Sequence, residues 1–190
     1  LALVTLNNKS GFIDKTGKEV IPCKYEYAGY FFEGLAQVGL NNKFGYIDKT
    51  GREVIPCKYN GTNNFKEGLA AVNLNGKWGY IDKNGRETCP YKYDWVYDFF
   101  KGLAKVKLNN KYGYIDKTGK EVIPCIFDGI TYNNQMFYVK FRGKYGCINQ
   151  LGDMFVPCIF DIAPCLEDGK IKMVNDGIIT IYSIEGEIIY

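Results

Sequence analysis

Lys77-Trp78-Gly79-Tyr80-Ile81-Asp82-Lys83-Asn84-Gly85 decides the fold. Two aromatics flank a glycine, a β-branched residue follows, and Asp to Gly closes the stretch as a turn. The same nine-residue pattern starts 34 residues earlier at Lys43 and 34 residues later at Lys111. A weaker copy runs from Lys144 to Gly152, and a truncated one from Lys9 to Gly17. A fixed period of this length marks a repeat array, in which neighbouring units share one continuous core.

The residues around the stretch repeat with it. Before it, Ala70, Val72 and Leu74 alternate with Leu69, Ala71 and Asn73, and Ala104, Val106 and Leu108 alternate with Leu103, Lys105 and Lys107. Strict alternation predicts a half-buried strand. Asn75-Gly76, Asn41-Asn42 and Asn109-Asn110 predict tight hairpin turns, because Asn and Gly accept positive φ. In the second strand, Gly79 marks the close approach of another backbone. Asp14, Asp48, Asp82 and Asp116 open a second turn that Gly17, Gly51, Gly85 and Gly119 close. A third strand follows, as in Glu53-Val54-Ile55-Pro56, with Pro22, Pro56, Pro90, Pro124 and Pro157 expected at its end or at a sheet edge. The rest of each repeat reads as a loop-like link. Its aromatics, among them Phe31, Phe65, Phe99 and Tyr132, are expected to plug the space between successive hairpins.

The expected architecture is all-β: one domain of six units at 1–34, 35–68, 69–102, 103–136, 137–169 and 170–190, each of three short antiparallel strands. The divergent sixth unit is read as a cap. An open superhelical, solenoid-like stack is favoured over a β-propeller, because blades normally use four strands in about 40–45 residues. The link remains able to supply a fourth strand. No segment carries a sustained helical period.

Composition narrows the chemistry. The net charge of +3, from 24 basic and 21 acidic residues, argues against nucleic acid as a partner. No apolar run is long enough for a membrane helix, so no membrane insertion is expected. There is no histidine, which removes the commonest general base and metal ligand. Seven cysteines are present, and Cys23, Cys57, Cys125 and Cys158 each follow the repeat proline. That regularity reads as packing by a small apolar side chain. The odd count, with no charged-then-apolar leader, favours the cytoplasm. The chain opens at Leu1 already inside a repeat, so further residues are expected upstream.

The Lys-Trp-Gly-Tyr-Ile-Asp core, its Asn-Gly turn, the proline-ended strand and the preceding Phe65-Lys66-Glu67-Gly68-Leu69-Ala70 resemble the bacterial WG (KWG) repeat. The resemblance covers nearly the whole chain. It departs at Ser10, which replaces an aromatic, and at Ile179-Thr180 and Ser183 in the sixth unit. It implies a β-rich interaction module and brings no catalytic residues with it.

No phosphate loop, Cys-x-x-Cys pair or calcium cluster is present in the sequence. No catalytic residues, metal or cofactor are therefore expected. Asp94 and Asp98 were weighed as an acid–base pair, but Asp94 repeats at Asp128 and Asp161, as scaffold residues do. Two lines remain as candidate binding residues. Lys43, Lys77, Lys111 and Lys144 form either a basic line or a solvated stripe paired with Glu19, Glu53, Glu87 and Glu121. Phe44, Trp78, Tyr112 and Tyr145 form either core between repeats or a groove for an extended peptide or sugars. The segments Thr131–Gln135 and Cys165–Gly169 break the pattern most. The expected function is a non-enzymatic scaffold that binds protein, with a glycan or cell-surface module as the alternative.

Overall fold

A computed structural model describes residues 1–133 and 135–189. Among them there is no helix, and the chain forms six antiparallel sheets of three or four strands. Sheet I holds β1 (Ala2–Leu6), β2 (Lys9–Ile13) and β3 (Glu19–Tyr25). Sheet II holds β4 (Tyr27–Phe32), β5 (Leu35–Leu40), β6 (Lys43–Asp48) and β7 (Glu53–Tyr59). Sheet III holds β8 (Gly61–Thr62), β9 (Leu69–Leu74), β10 (Lys77–Asp82) and β11 (Glu87–Tyr93). Sheet IV holds β12 (Trp95–Val96), β13 (Leu103–Leu108), β14 (Lys111–Asp116) and β15 (Glu121–Phe127). Sheet V holds β16 (Gly129–Asn133), β17 (Met136–Phe141), β18 (Lys144–Ile148) and β19 (Met154–Phe160). Sheet VI holds β20 (Ile162–Glu167), β21 (Lys170–Asn175) and β22 (Ile178–Ser183). Strands are ordered in each sheet as in the sequence, and none of the sheets closes on itself. Two compact units result, Leu1–Val106 with Ile115–Lys120, and Lys107–Tyr114 with Glu121–Tyr190.

The link, read as a loop able to supply a fourth strand, supplies that strand in sheets II to V. Instead of trailing its own repeat as a loop, it forms the first strand of the next sheet. Glu26 N donates to Gly39 O, Asn60 N to Asn73 O and Asn63 N to Ala71 O. Each pairing ties link residues forward, onto the alternating strand that follows. That strand consequently becomes internal to a four-stranded sheet. In β5 and β9 residues on both faces are buried, Gln37 and Ala71 included, so the one-sided burial expected there is not found.

The glycine between the aromatics has a specific cause. In sheet III, Trp78 faces Tyr93 and Tyr80 faces Cys89, so the residues from Pro90 to Lys92 stand opposite Gly79 alone. This is a β-bulge, and a proline inside it gives up no ladder bond. The prolines therefore sit within edge strands at the bulge, and the strands continue past them. A Cβ on Gly79 would lie 2.6 Å from Cys89 O. Sheets I, II and V show the same register shift.

In the Asp turns, Asp48 Oδ1 accepts from Thr50 N at 2.9 Å, Thr50 Oγ1 at 2.6 Å and Arg52 N at 3.2 Å. The Ser183 hydroxyl takes over this role in sheet VI, accepting from Glu185 N and Glu187 N.

The core lies in layers between successive sheets. In the first unit one layer joins Phe12, Ile21, Ala36, Val38 and Ile47, and the next joins Tyr46, Ile55, Phe65, Val72 and Ile81. In the second unit Met136, Cys147, Val156, Ile171 and Met173 form another. Link aromatics enter these layers as expected: the Phe65 ring stands 4.8 Å from that of Tyr46, and Phe99 4.8 Å from Tyr80. Asp turns after the first also seat on the sheet before them, Gly51 against Ile21 and Gly85 against Ile55.

Ion pairs reinforce this seating. Lys83 Nζ lies 3.0 Å from Glu33 Oε2, and Lys117 Nζ 3.0 Å from Glu67 Oε2. The same carboxylates accept from Gly68 N and Gly102 N. The bond from each lysine is the main reason the two carboxyl groups sit below the ordinary glutamate value. A lowered folded pKa means that the stabilisation is present above the unfolded value and is lost as pH falls through the folded one. The side chains are about a third exposed, so the contribution is discounted for solvent screening. A double Glu33→Gln, Glu67→Gln variant is expected to lose about 1 kcal/mol at neutral pH. Urea titrations at falling pH check this: the gap to the parent should close below pH 4.5. A gap that persisted in acid would exclude an ionic origin.

Candidate functional site

Lys43, Phe44, Lys77 and Trp78 belong to the first compact unit; Lys111, Tyr112, Lys144 and Tyr145 belong to the second. Each pair opens the middle strand of a hairpin, which puts the lysine at the turn and the aromatic one step inside. Among the described residues these lysines form no ion pair with Glu19, Glu53 or Glu87, and three of them meet a different acid. Lys77 Nζ reaches Asp94 Oδ1 at 2.5 Å and Lys144 Nζ reaches Asp161 Oδ1 at 2.5 Å, while Lys111 pairs with Asp128. Lys9 makes the equivalent contact to Glu26 at 3.4 Å. The acid in each case opens the next link, 17 residues on. It is nearer than the neighbouring-strand glutamate because the link folds forward. At Lys43 the corresponding residue is Asn60, and among the described residues Lys43 makes no ion pair.

The aromatic line is half-buried. Phe44 meets the Tyr27 ring edge-on at 5.9 Å, and Trp78 meets Trp95 at 5.5 Å. Lys107 lies over Tyr112 and Lys140 over Tyr145, at 5.2 and 5.1 Å from the ring centroids.

The more exposed aromatics sit in the links. In the first unit Tyr30 and Phe100 are 70% and 63% exposed, and Tyr27, Phe32, Trp95 and Tyr97 are also exposed. The sequence reading missed them. Their signal was available, because sheet III has Gly61, Asn64 and Lys66 where sheet II has Tyr27, Tyr30 and Phe32. Lys101 and Lys105 lie over the Phe100 and Tyr97 rings.

Asp94 and Asp98 each have a partner of their own. Asp94 is engaged by Lys77, and Asp98 by Lys66 at 2.8 Å and Asn63 at 3.1 Å. Among the described residues no group of three His, Cys, Asp or Glu side chains gathers as a metal site. All seven cysteines are free thiols. Those after the proline are half-buried, less enclosed than their packing role suggested. Full burial belongs to Cys89 and Cys147, and it pushes their thiols up to about 11 and about 12. Burial likewise raises the Tyr46 and Tyr80 phenols, which donate to the Asn63 and Tyr97 carbonyls of the following link. Of the segments that break the pattern, Thr131 borders a cavity and Cys165 is exposed, its thiol 3.5 Å from Glu167 Oε1. Asn134 lies outside the described residues.

The family described as WG containing repeat matches residues 11–44, 44–78, 78–112, 112–145 and 145–177. The chain belongs to this family. The three WG segments from 44 to 145 each run from the aromatic of one hairpin to the aromatic of the next, while the first begins at Gly11 and the last ends at Gly177, so each includes a link and the strand onto which that link folds. Among curated proteins none matches. Among solved structures, the chain is similar to Kluyveromyces lactis Hsv2, with a TM-score of 0.42 and 8% identity over 83% of this chain and 60% of that one. It is also similar to a structure titled as the eukaryotic initiation factor, with a TM-score of 0.48 and 13% identity over 99% and 61%. The WG chain thus spans about three-fifths of the length of either. No helix among the described residues is long and apolar enough to cross a membrane.

Proposed function

We propose that this WG-repeat chain is a non-enzymatic module that binds another protein through the link-derived strands of its first unit. The observation that carries this reading is the set of exposed aromatics Tyr27, Tyr30, Phe32, Trp95, Tyr97 and Phe100, at positions where sheet III has none standing in solvent. Repeated residues build the scaffold, and residues that depart from the repeat distinguish one partner from another. Tyr and Trp are the side chains most often found at the centre of protein interfaces, since they bring large rigid contact area at small entropic cost. The non-enzymatic part of the proposal is supported by the acids, which recur at equivalent positions and are engaged by lysines.

The test is capture from a lysate of the source cell, identification of the retained protein, and titration of that protein in pure form. Trp95→Ala and Tyr30→Ala variants, shown folded by circular dichroism, should each bind about tenfold more weakly or worse. Undiminished affinity in both would remove the link strands from the interface. Retention of a glycan on an array, lost in Trp95→Ala, would replace the protein reading with the glycan one.

A further inference from the structure

A cavity of about 300 Å³ opens in the second unit, between the first strands of sheets V and VI. Gly129, Val139, Lys140, Tyr145 and Pro164 are among the residues that line it. The repeat itself indicates what is missing there. At the Gly129 position, sheet II has Tyr27, which packs on Phe44 of its own sheet, whereas Trp95 of sheet IV packs back on Trp78 of sheet III. Sheet III has glycine, but the large Trp78 ring fills the space, 3.4 Å from where a Gly61 Cβ would stand. Sheet V combines the glycine with the smaller Tyr145. A Cβ on Gly129 would meet only Lys140 Cβ, at 3.7 Å, with no aromatic atom within 4 Å among its nearest neighbours.

Among the lining residues Lys140 is the cation, beside the hydroxyl-bearing Thr131 and Tyr138. Lys140 Nζ lies 5.1 Å from the Tyr145 ring centroid and has no carboxylate partner among the described residues. We infer that this cavity binds a small planar aromatic carboxylate, whose ring takes the place that Tyr27 takes in sheet II and whose carboxylate meets Lys140. Apolar walls with one convergent charged group are the usual make-up of a small-ligand site. The site is separate from the proposed protein-binding strands of the first unit and stands or falls without them.

Indole-3-acetate is a suitable probe, followed by amide chemical shifts of the full chain. Saturable changes at Gly129, Thr131, Lys140 and Ala163 are expected, with a Kd of about 1 mM or below for a ligand of this size. Gly129→Tyr places the Tyr27 side chain of sheet II at the same repeat position, against Tyr145, and should abolish binding while the fold is kept. Lys140→Gln should weaken it about tenfold, the scale of a lost charge-assisted contact. No saturation by the parent chain, or undiminished binding by Gly129→Tyr, would overturn the site. If Gly129→Tyr does not fold, the half-exposed Lys140→Gln variant decides: unchanged affinity there, or equal binding of neutral indole-3-acetamide, would overturn the assignment of a carboxylate.

Discussion

Gly79→Ala should cost about 3 kcal/mol or more of folding stability, although it adds one methyl group. The new Cβ would stand 2.6 Å from Cys89 O and 2.7 Å from Tyr91 Cδ1. One of these is backbone in the bulged strand and cannot rotate away. Relief requires β10 and β11 to separate, which gives up ladder bonds in the middle of a core layer. The control is Gly76→Ala in the Asn-Gly turn. Gly76 has a φ of +85° and nothing within 4 Å of its would-be Cβ, so only the left-handed penalty of about 1 kcal/mol applies. Urea midpoints of both variants check the prediction. Equal losses would mean that the strand glycine is chosen for conformation and not for space.

Phe65→Ala is expected to lose about 3–5 kcal/mol, the usual range for emptying a buried phenylalanine site. Phe65 is 1% exposed and packs on Tyr46 of the preceding sheet. Removing its ring hollows the layer between sheets II and III from within the link. Phe100, also in a link but facing solvent, should cost no more than about 0.5 kcal/mol as alanine. A small effect of Phe65→Ala would mean that the links decorate the repeats without joining them.

Much of this was legible in the sequence. The alternation at Leu103–Leu108 and the turns at Asn75-Gly76 and Asp82–Gly85 each carry a local chemical signal, and each lies where expected. Gly79 announced a close backbone approach for the right reason. The link strands carried no such signal. β8 and β12 are two residues long, too short for any period to show. Whether a link pairs backward or forward depends on hydrogen bonds to a strand a dozen residues away. The ion pairs depended on the same fact, since Asp94 comes near Lys77 only once the link has folded forward. The bulge hid the prolines' true place, because a proline ending a strand and one inside a bulge read alike. The Gly129 cavity is visible only by comparing one aromatic position across four sheets and knowing which rings face it.

The forward-folding link has a kinetic consequence. The seating turn Gly85 reaches back 30 residues to Ile55, and the Lys117–Glu67 bond spans 50. Sheets that pair only with near neighbours in sequence close short loops, and each doubling of loop length costs only about 0.6 kcal/mol. An all-β chain built this way avoids the long-range pairings that slow most β-proteins. On the ribosome, at roughly 5–20 residues per second, a finished sheet waits on the order of 2–7 s for the next repeat to emerge and clamp it. The first unit is then able to assemble sheet by sheet while the second is still being made.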